Sequence, residues 1–524
     1  MPVNFTRRAF LKNSAATGLA LSSTLAMPAL SRASSRPVIA HGLQSGDVDA
    51  GSGMIWARAD RPARMLVEVD TTGSFETPRR LAPVNALPES DFAVKRLLED
   101  LPADQDIFYR VSFADLNDFN AVSEPMTGRF RTAPRSRRSV KFVWSGDTAG
   151  QGWGIDPHRG GMKTYATMAK YQPDFFIHSG DTVYADGPMK ETVELKDGTL
   201  WKNILIEEKT KVAESLDEFR AQWKYNMMDD NLRAFSAEVP TFFQWDDHEV
   251  VNNWSPAKDL TADDRYAEKN VALLAARAGR AFHEMTPIRY TPSEPGRVYR
   301  KVAYGPMLDV FFLDLRSYRG PNGPALESEM TPESRILGAE QLAWLKRELS
   351  RSKATWKVIA SDMPVGLIVW DNWKEQAGAE AVANGEHGSP KGRELEFADL
   401  LRFVKTADIE NLVFLTADVH YTAAHYYNPD KAAFQDFTPF WEFVSGPIHA
   451  GTFGPGKLDM TFGPEVKYTK APSEEQGQNL PPSMGLQFFG LVEIDGETEQ
   501  FTVRLMDRDD AELYSVTLDP VRRA

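Results

Sequence analysis

The chain has 524 residues, 42% apolar and 26% charged, with 60 basic against 74 acidic side chains and a formal net charge of -14. That length outgrows a single core, so two domains or one elaborated domain is expected, and after the first thirty residues no apolar run is long enough to span a bilayer. The acidic balance argues against a basic nucleic-acid surface; the absence of cysteine excludes disulfides and thiolate chemistry, leaving oxygen and imidazole to hold any metal.

Residues 1–33 contain Arg7, Arg8, Lys12 and Arg32 but no acid, with an apolar stretch from Ala15 to Leu30 and small Ser31 and Ala33. This is the pattern of a cleaved export signal. Thr6-Arg-Arg-Ala-Phe-Leu-Lys12 resembles the twin-arginine signal, which makes the twin-arginine translocation machinery the expected partner and the periplasm or the exterior the expected location. An uncleaved N-terminal anchor is the alternative; after cleavage no stable membrane anchor is expected. Removing the segment takes away four positive charges and lowers the formal charge from -14 to -18.

Residues 36–134 read as short alternating segments, among them Gly53-Met-Ile-Trp-Ala-Arg58, Met65-Leu-Val-Glu-Val69 and Phe108-Tyr-Arg-Val-Ser-Phe113, separated by Gly, Pro and Asp turns. The pattern predicts a small antiparallel β-sandwich, with Thr132-Ala-Pro-Arg-Ser-Arg-Arg-Ser139 as a linker. From residue 140 to about 520, apolar strands alternate with helix-period segments at 161–171, 215–235, 263–285, 339–350 and 393–406, which implies an α/β layered domain. Thr261-Ala-Asp-Asp264 reads as a helix cap and Asp197-Gly198 as a hairpin turn. The segment 188–212 is then an insertion, either a lid or a solvated hairpin. Residues 366–392 are long and poorly periodic. Three strands after Gln487 complete a sheet.

Six of the strand-like runs end on aspartate: Val143-Trp-Ser-Gly-Asp147, Phe175-Phe-Ile-His-Ser-Gly-Asp181, Phe242-Phe-Gln-Trp-Asp246-Asp247-His248, Val310-Phe-Phe-Leu-Asp314, Val358-Ile-Ala-Ser-Asp362 and Val413-Phe-Leu-Thr-Ala-Asp418. Asp commonly caps a turn, but carboxylates gathered at one sheet edge repel one another unless a cation is present. Ligands of open α/β sheets bind beyond the carboxyl ends of the strands, where these residues fall. Ser179-Gly-Asp-Thr-Val-Tyr184 offers an Asp at a tight turn and a Tyr able to return to the same ion. Asp418-Val-His420 offers two ligand types on one side of an extended chain. Trp245-Asp-Asp-His-Glu-Val-Val-Asn-Asn-Trp254 packs acid, imidazole and carboxamide into ten residues. Arg316 and Arg319 are candidates for holding phosphate oxygens, and His178, inside a strand, reads as a core histidine.

Trp245–Trp254, Ser179–Tyr184, Leu313-Asp-Leu-Arg-Ser-Tyr-Arg319 and Ala417-Asp-Val-His-Tyr421 together resemble the PhoD-type alkaline phosphatases and related metal-dependent phospholipase D enzymes, and more distantly purple acid phosphatases and calcineurin-like metallophosphoesterases. The resemblance implies a four-layer α/β/β/α catalytic domain behind the sandwich and two or more metal ions. It makes Asp181 the bridging carboxylate, Tyr184 a tyrosinate on ferric iron, and Asp418 and His420 the paired ligands of the last motif. Asp247 takes the metal-ligand place and His248 the substrate-facing, catalytic place, with Asp246 and Asn253 as competing ligands and Arg316 beside them. Relatives bring a cysteine to iron from the first strand; here Asp147 stands there, and Asp362 is a further possible ligand. Iron and calcium follow from the resemblance, while magnesium and manganese suit such oxygen-rich ligands.

The implied activity is hydrolysis of phosphate esters by a metal-activated hydroxide, on monoesters and also on diesters. One alternative is a phospholipase D or phosphodiesterase acting on phospholipid or teichoic-type diesters. The other is a non-catalytic envelope phosphate-binding protein.

Overall fold

The computed structural model describes residues 36–522, so the export signal expected over residues 1–33 lies outside the described residues. Eight strands open the fold: β1 (Ile39–Gly46), β2 (Gly53–Ala59), β3 (Ala63–Asp70), β4 (Arg79–Arg80), β5 (Val84–Ala86), β6 (Ala93–Leu98), β7 (Asp106–Asp115) and β8 (Met126–Arg131). One antiparallel sheet has the order β1-β2-β6 and the other β4-β3-β7-β8, with β5 on β3. Residues 63, 65, 67 and 69 of β3 are buried and those between them half-buried, as a strand with one face on a core requires.

After the linker come β9 (Val140–Ser145), β10 (Phe175–Ser179), the hairpin β11 (Thr192–Glu194) and β12 (Leu200–Lys202), and β13 (Thr241–Gln244). A second sheet follows, made of β14 (Arg300–Ala303), β15 (Leu308–Phe312), β16 (Trp356–Ala360), β19 (Leu412–Thr416), β20 (Thr422–Tyr427), β21 (Phe440–Val444) and β22 (Pro464–Lys470). The hairpin β17 (Trp370–Asn372) and β18 (Ala377–Ala379) is inserted after β16. β23 (Phe488–Ile494), β24 (Phe501–Asp507) and β25 (Glu512–Leu518) return to β9 and complete the first sheet in the order β13-β10-β9-β23-β24-β25. The second sheet has the order β14-β15-β16-β19-β21-β20-β22. β9, β10 and β13 are mutually parallel, as are β15, β16 and β19, so each sheet brings three strand ends to one edge.

The two-residue period of these strands separates an inner from an outer core. Phe142, Phe175, Ile177, Val310, Phe312, Val358 and Leu415 point between the sheets, where Phe175 stacks on Phe142 and on Phe242 at 4.7 Å each. Their neighbours Val143 and Phe176 face outward, as do Phe311, Ile359 and Phe414 of the second sheet. The outward face of the first sheet meets α1 (Lys163–Ala169), α2 (Leu216–Asn226), α3 (Asp230–Glu238) and α4 (Val271–Met285). That of the second meets α5 (Ala339–Arg351) and α6 (Glu394–Thr406). The result is the four-layer α/β/β/α arrangement behind an antiparallel sandwich.

Two helix expectations are corrected. The segment 215–235 is two helices, because Asp229 breaks the run and its carboxylate accepts from Leu232 N at 3.0 Å to start α3. The helix expected from 263 begins at Val271: Asn270 supplies the cap at 3.2 Å from Leu273 N, while Thr261–Asp264 lies in turns. Among the described residues, no helix is long and apolar enough to cross a membrane.

Candidate metal centre

The strand ends β9, β10 and β13 deliver Asp147, Asp181 and the Asp246-Asp247 pair, and β15, β16 and β19 deliver Asp314, Asp362 and Asp418. The turns that aim these side chains are strained. Asp147, Asp181, Asp418, His420 and Asn253 all have positive φ, at 66°, 49°, 64°, 59° and 54°, a conformation that costs on the order of 1–3 kcal/mol each and persists where the surroundings demand it. Gly180, at φ 97°, is required on steric grounds: a Cβ there would meet Asp246 Cβ at 2.5 Å.

Three groups of possible ligand atoms lie within 4.8 Å of one another: Asp147, Asp181 and His420; Asp181, Asp247 and His248; and Asp246, Asp247 and Asp418. Asp181 and Asp247 each belong to two groups, so each is placed to bridge. Tyr184 Oη lies 3.0 Å from His420 Nε2 and 3.4 Å from Asp147 Oδ1, which adds a phenol to the first group. His420 Nδ1 donates to the Gly451 carbonyl, which turns the Nε2 lone pair toward Asp147 Oδ1 at 3.2 Å. Burial lowers the His420 pKa to about 4, so the ring is neutral and able to coordinate.

The electrostatics call for cations. Burial, and then the charge of Asp246, push the carboxyls of Asp147, Asp362 and Asp418 well above their ordinary range; burial and Asp247 do the same to Asp181. Burial and Asp181 likewise raise the Tyr184 phenol. Asp247 is held low instead: burial opposes its charge, but His248 and Arg316 outweigh it. The buried oxygens Asp147 Oδ2, Asp246 Oδ2, Asp247 Oδ1 and Asp362 Oδ2 have no hydrogen-bond partner. Unpartnered buried carboxylate oxygens beside a phenol and a neutral imidazole fit an oxygen-seeking cation.

Comparison with known proteins agrees with this geometry. The family model for PhoD-like phosphatase matches residues 142–505, and that for the N-terminal domain of PhoD-like phosphatase matches residues 24–134. The chain belongs to the PhoD-like phosphatase family. Alkaline phosphatase D of Bacillus subtilis (strain 168) is 31% identical over 306 residues, 56% of this chain and 49% of the relative, so the match spans about half the relative's length. A solved structure of PhoD superposes over 92% of this chain and 89% of its own, with 20% identity and a TM-score of 0.66. A purple acid phosphatase from yellow lupin seeds superposes over 92% of this chain and 74% of its own, with 13% identity and a TM-score of 0.54. At these identities the structural likeness speaks for the fold. The case for a metal cofactor rests on the ligand groups of this chain itself.

A second layer of side chains, which sequence reasoning missed, holds the centre in place. Glu249, 2% exposed, accepts from Asp181 N (3.1 Å), Thr182 N (2.7 Å) and Asp246 N (2.8 Å), clamping two ligand turns together. Asp186 accepts from His248 Nδ1 at 2.6 Å and from Asn252 N at 2.9 Å, which leaves His248 Nε2 for the cleft. Burial opposes the charge of His248, yet Asp186 and Asp247 raise its pKa to about 10. His178 is the expected core histidine, bonded to Thr148 Oγ1 (2.9 Å) and Thr182 Oγ1 (3.2 Å), each next to a ligand carboxylate.

Arg316 and Arg319 are not where phosphate-binding arginines would be. Arg316 is 0% exposed, bonds Asp246 and Glu380, and lies within 3.4–3.9 Å of Asp362, Asp418 and Asp247. Arg319 also bonds Glu380, at 3.1 Å. Neither lines the cleft: Arg316 meets the ligand carboxylates from their buried side, and Arg319 meets Glu380. Asp314 does not pair with a guanidinium; it accepts from Arg316 N and Ser317 N. Asn253 lines the cleft, with its amide donating to the Asp371 carbonyl at 3.0 Å. The cleft, of about 620 Å³, is floored by Asp181, Asp247, His248, Asp418 and His420. No residue of 188–212 lines it; that insertion packs Trp201 against Trp153 at 5.9 Å.

Proposed function

We propose that the protein hydrolyses phosphate esters at a centre of two or more cations, as an alkaline phosphatase acting on monoesters and also on diesters. The observation that carries this reading is the sharing of Asp181 and Asp247 among three ligand groups at the floor of an open cleft. Bound cations supply the positive charge that offsets a phosphoryl group and lowers the pKa of water. Asp147, Asp181, Tyr184 and His420 hold one cation; Asp181, Asp247 and Asp418 hold another, with Asp246 and Asn253 as further donors. Ferric iron beside Tyr184 and calcium in the neighbouring position follow the family resemblance. Asp147 in the place of a cysteine makes magnesium and manganese equally suited.

His248, fixed by Asp186, presents Nε2 to the cleft and serves to protonate the leaving oxygen or to steady the phosphate. A mature chain of charge -18 would repel phosphate, so the attraction has to come from the cations. The size of the cleft keeps the diesterase reading, including phospholipase D-type substrates, beside the monoesterase one. Export by the twin-arginine route to the periplasm or beyond belongs to the same proposal.

Asp181→Asn and His420→Ala are expected to lower p-nitrophenyl phosphate hydrolysis by at least about 100-fold while leaving the fold intact by circular dichroism. Parallel assays on bis-p-nitrophenyl phosphate and phosphatidylcholine sort monoester from diester preference. Near-wild-type turnover in metal-stripped protein would sink the proposal.

A further inference from the structure

Beside the acidic floor, one stretch of the cleft lining is apolar. Leu367, Ile368, Val369 and Trp370 follow one another along it into the β17–β18 hairpin, Trp373 at its tip is 73% exposed, and Phe453 lines the same cleft. No other large apolar side chain among the described residues is as exposed as Trp373. Trp373 does not stand alone but continues the apolar lining formed by residues 367–370, and a contiguous apolar patch beside polar groups marks a ligand groove.

The wall is held rigidly. Asp371, within the hairpin, receives Asn253 Nδ2 at its carbonyl (3.0 Å) and Lys258 Nζ at its carboxylate (2.9 Å), and Glu380 N donates to Val369 O at 2.9 Å. Trp370 lies over Gly385, where a Cβ would come within 3.1 Å of the ring. The wall is thereby tied to Asn253 on one side and, through Glu380, to Arg316 on the other.

The charge of the lining is equally one-sided. Beyond the floor residues its ionisable group is Asp371, already paired with Lys258, and no Lys or Arg is among the described lining residues. Lys374, outside the lining, lies 5.6 Å from the centre of the Trp373 ring at the hairpin tip; along the lining itself a second anionic group on a substrate meets no cation, whereas an apolar group buries surface.

We infer that the stretch 367–373 is a specificity wall, selecting phosphate esters whose leaving group is apolar and carries no further negative charge. The inference rests on the hydrolase reading above and adds the substrate class. Each buried methylene is worth roughly fourfold in affinity, so two covered by the wall give at least about tenfold.

The test compares kcat/KM of the metal-loaded enzyme for ethyl phosphate, octyl phosphate and octane-1,8-diyl bisphosphate, together with the affinities for ethylphosphonate and octylphosphonate, which do not turn over. The octyl ester is expected to exceed the ethyl ester at least about tenfold, and the bisphosphate to lose most of that gain. Trp370→Ala and the exposed Trp373→Ala are each expected to cut the octyl-to-ethyl ratio at least about threefold. Octyl-to-ethyl ratios near one for both esters and phosphonates, or ratios unmoved in both variants, overturn the wall. Binding that favours octylphosphonate with no ester turned over overturns the hydrolase reading and leaves the wall standing.

Discussion

Arg316 has no exposed surface, and its guanidinium faces Asp246, Asp247, Asp362, Asp418 and Glu380. Burial works against its charge, but Asp246 and Glu380 hold it firmly protonated. Removing one partner of such a buried network leaves uncompensated charge and typically costs about 3–5 kcal/mol. Arg316→Met is therefore expected to lose about that much stability in denaturant titration of metal-free protein, with added cations restoring part of it. A loss below about 1 kcal/mol would contradict this and show that the carboxylates around it are already protonated. The aspartates themselves were legible, because an apolar strand ending in Asp is a local signal. Asp186, Glu249, Glu380 and the burial of Arg316 were not: the bonds His248–Asp186, Thr182–Glu249, Arg316–Asp246 and Arg316–Glu380 span 62 to 70 positions, and only the packed sheets bring their partners together.

Glu394, the first residue of α6, is 1% exposed and close to Asn384 and Asp459. Burial, and then Asp459, raise its pKa from 4.5 to about 8. The folded protein thus holds a proton that the unfolded chain has released between those values. The contribution is full below pH 4.5 and is lost as pH rises to 8, by up to about 1.4 kcal/mol per unit. Glu394→Gln is expected to gain stability relative to wild type across that window; a constant difference from pH 5 to 8 would contradict it. The elements themselves were read well where periodicity was strong, as at 339–351 and 394–406. The break between α2 and α3 escaped because Asp229 acts through caps, to Leu232 N and to Met162 N from another segment, without Gly or Pro to mark it. The hairpin inside 366–392 escaped because Trp370–Ala379 pairs over only three residues a side.

For the whole molecule, the sandwich is fastened to the catalytic layers by a buried pair. Asp47, 2% exposed, receives Arg300 of β14 through Nε and Nη2 (2.7–3.0 Å) and Arg289 N at 2.8 Å. Two sheets packed face to face, each with three parallel strands ending at one edge, focus Asp147, Asp181, Asp246, Asp247 and Asp418 on one volume. This is why a pattern spread over nearly three hundred residues becomes a single site. Asp147, Asp181, Tyr184 and His420 offer oxygen and nitrogen atoms only. The most direct test is elemental analysis of the protein exported by its own signal, beside Asp181→Asn, with phosphate-ester hydrolysis measured on the same samples. At least two metal ions per chain are expected in wild type, with fewer ions and lost hydrolysis in Asp181→Asn. Full hydrolysis by metal-free protein, or an unchanged metal content in the variant, would contradict the account.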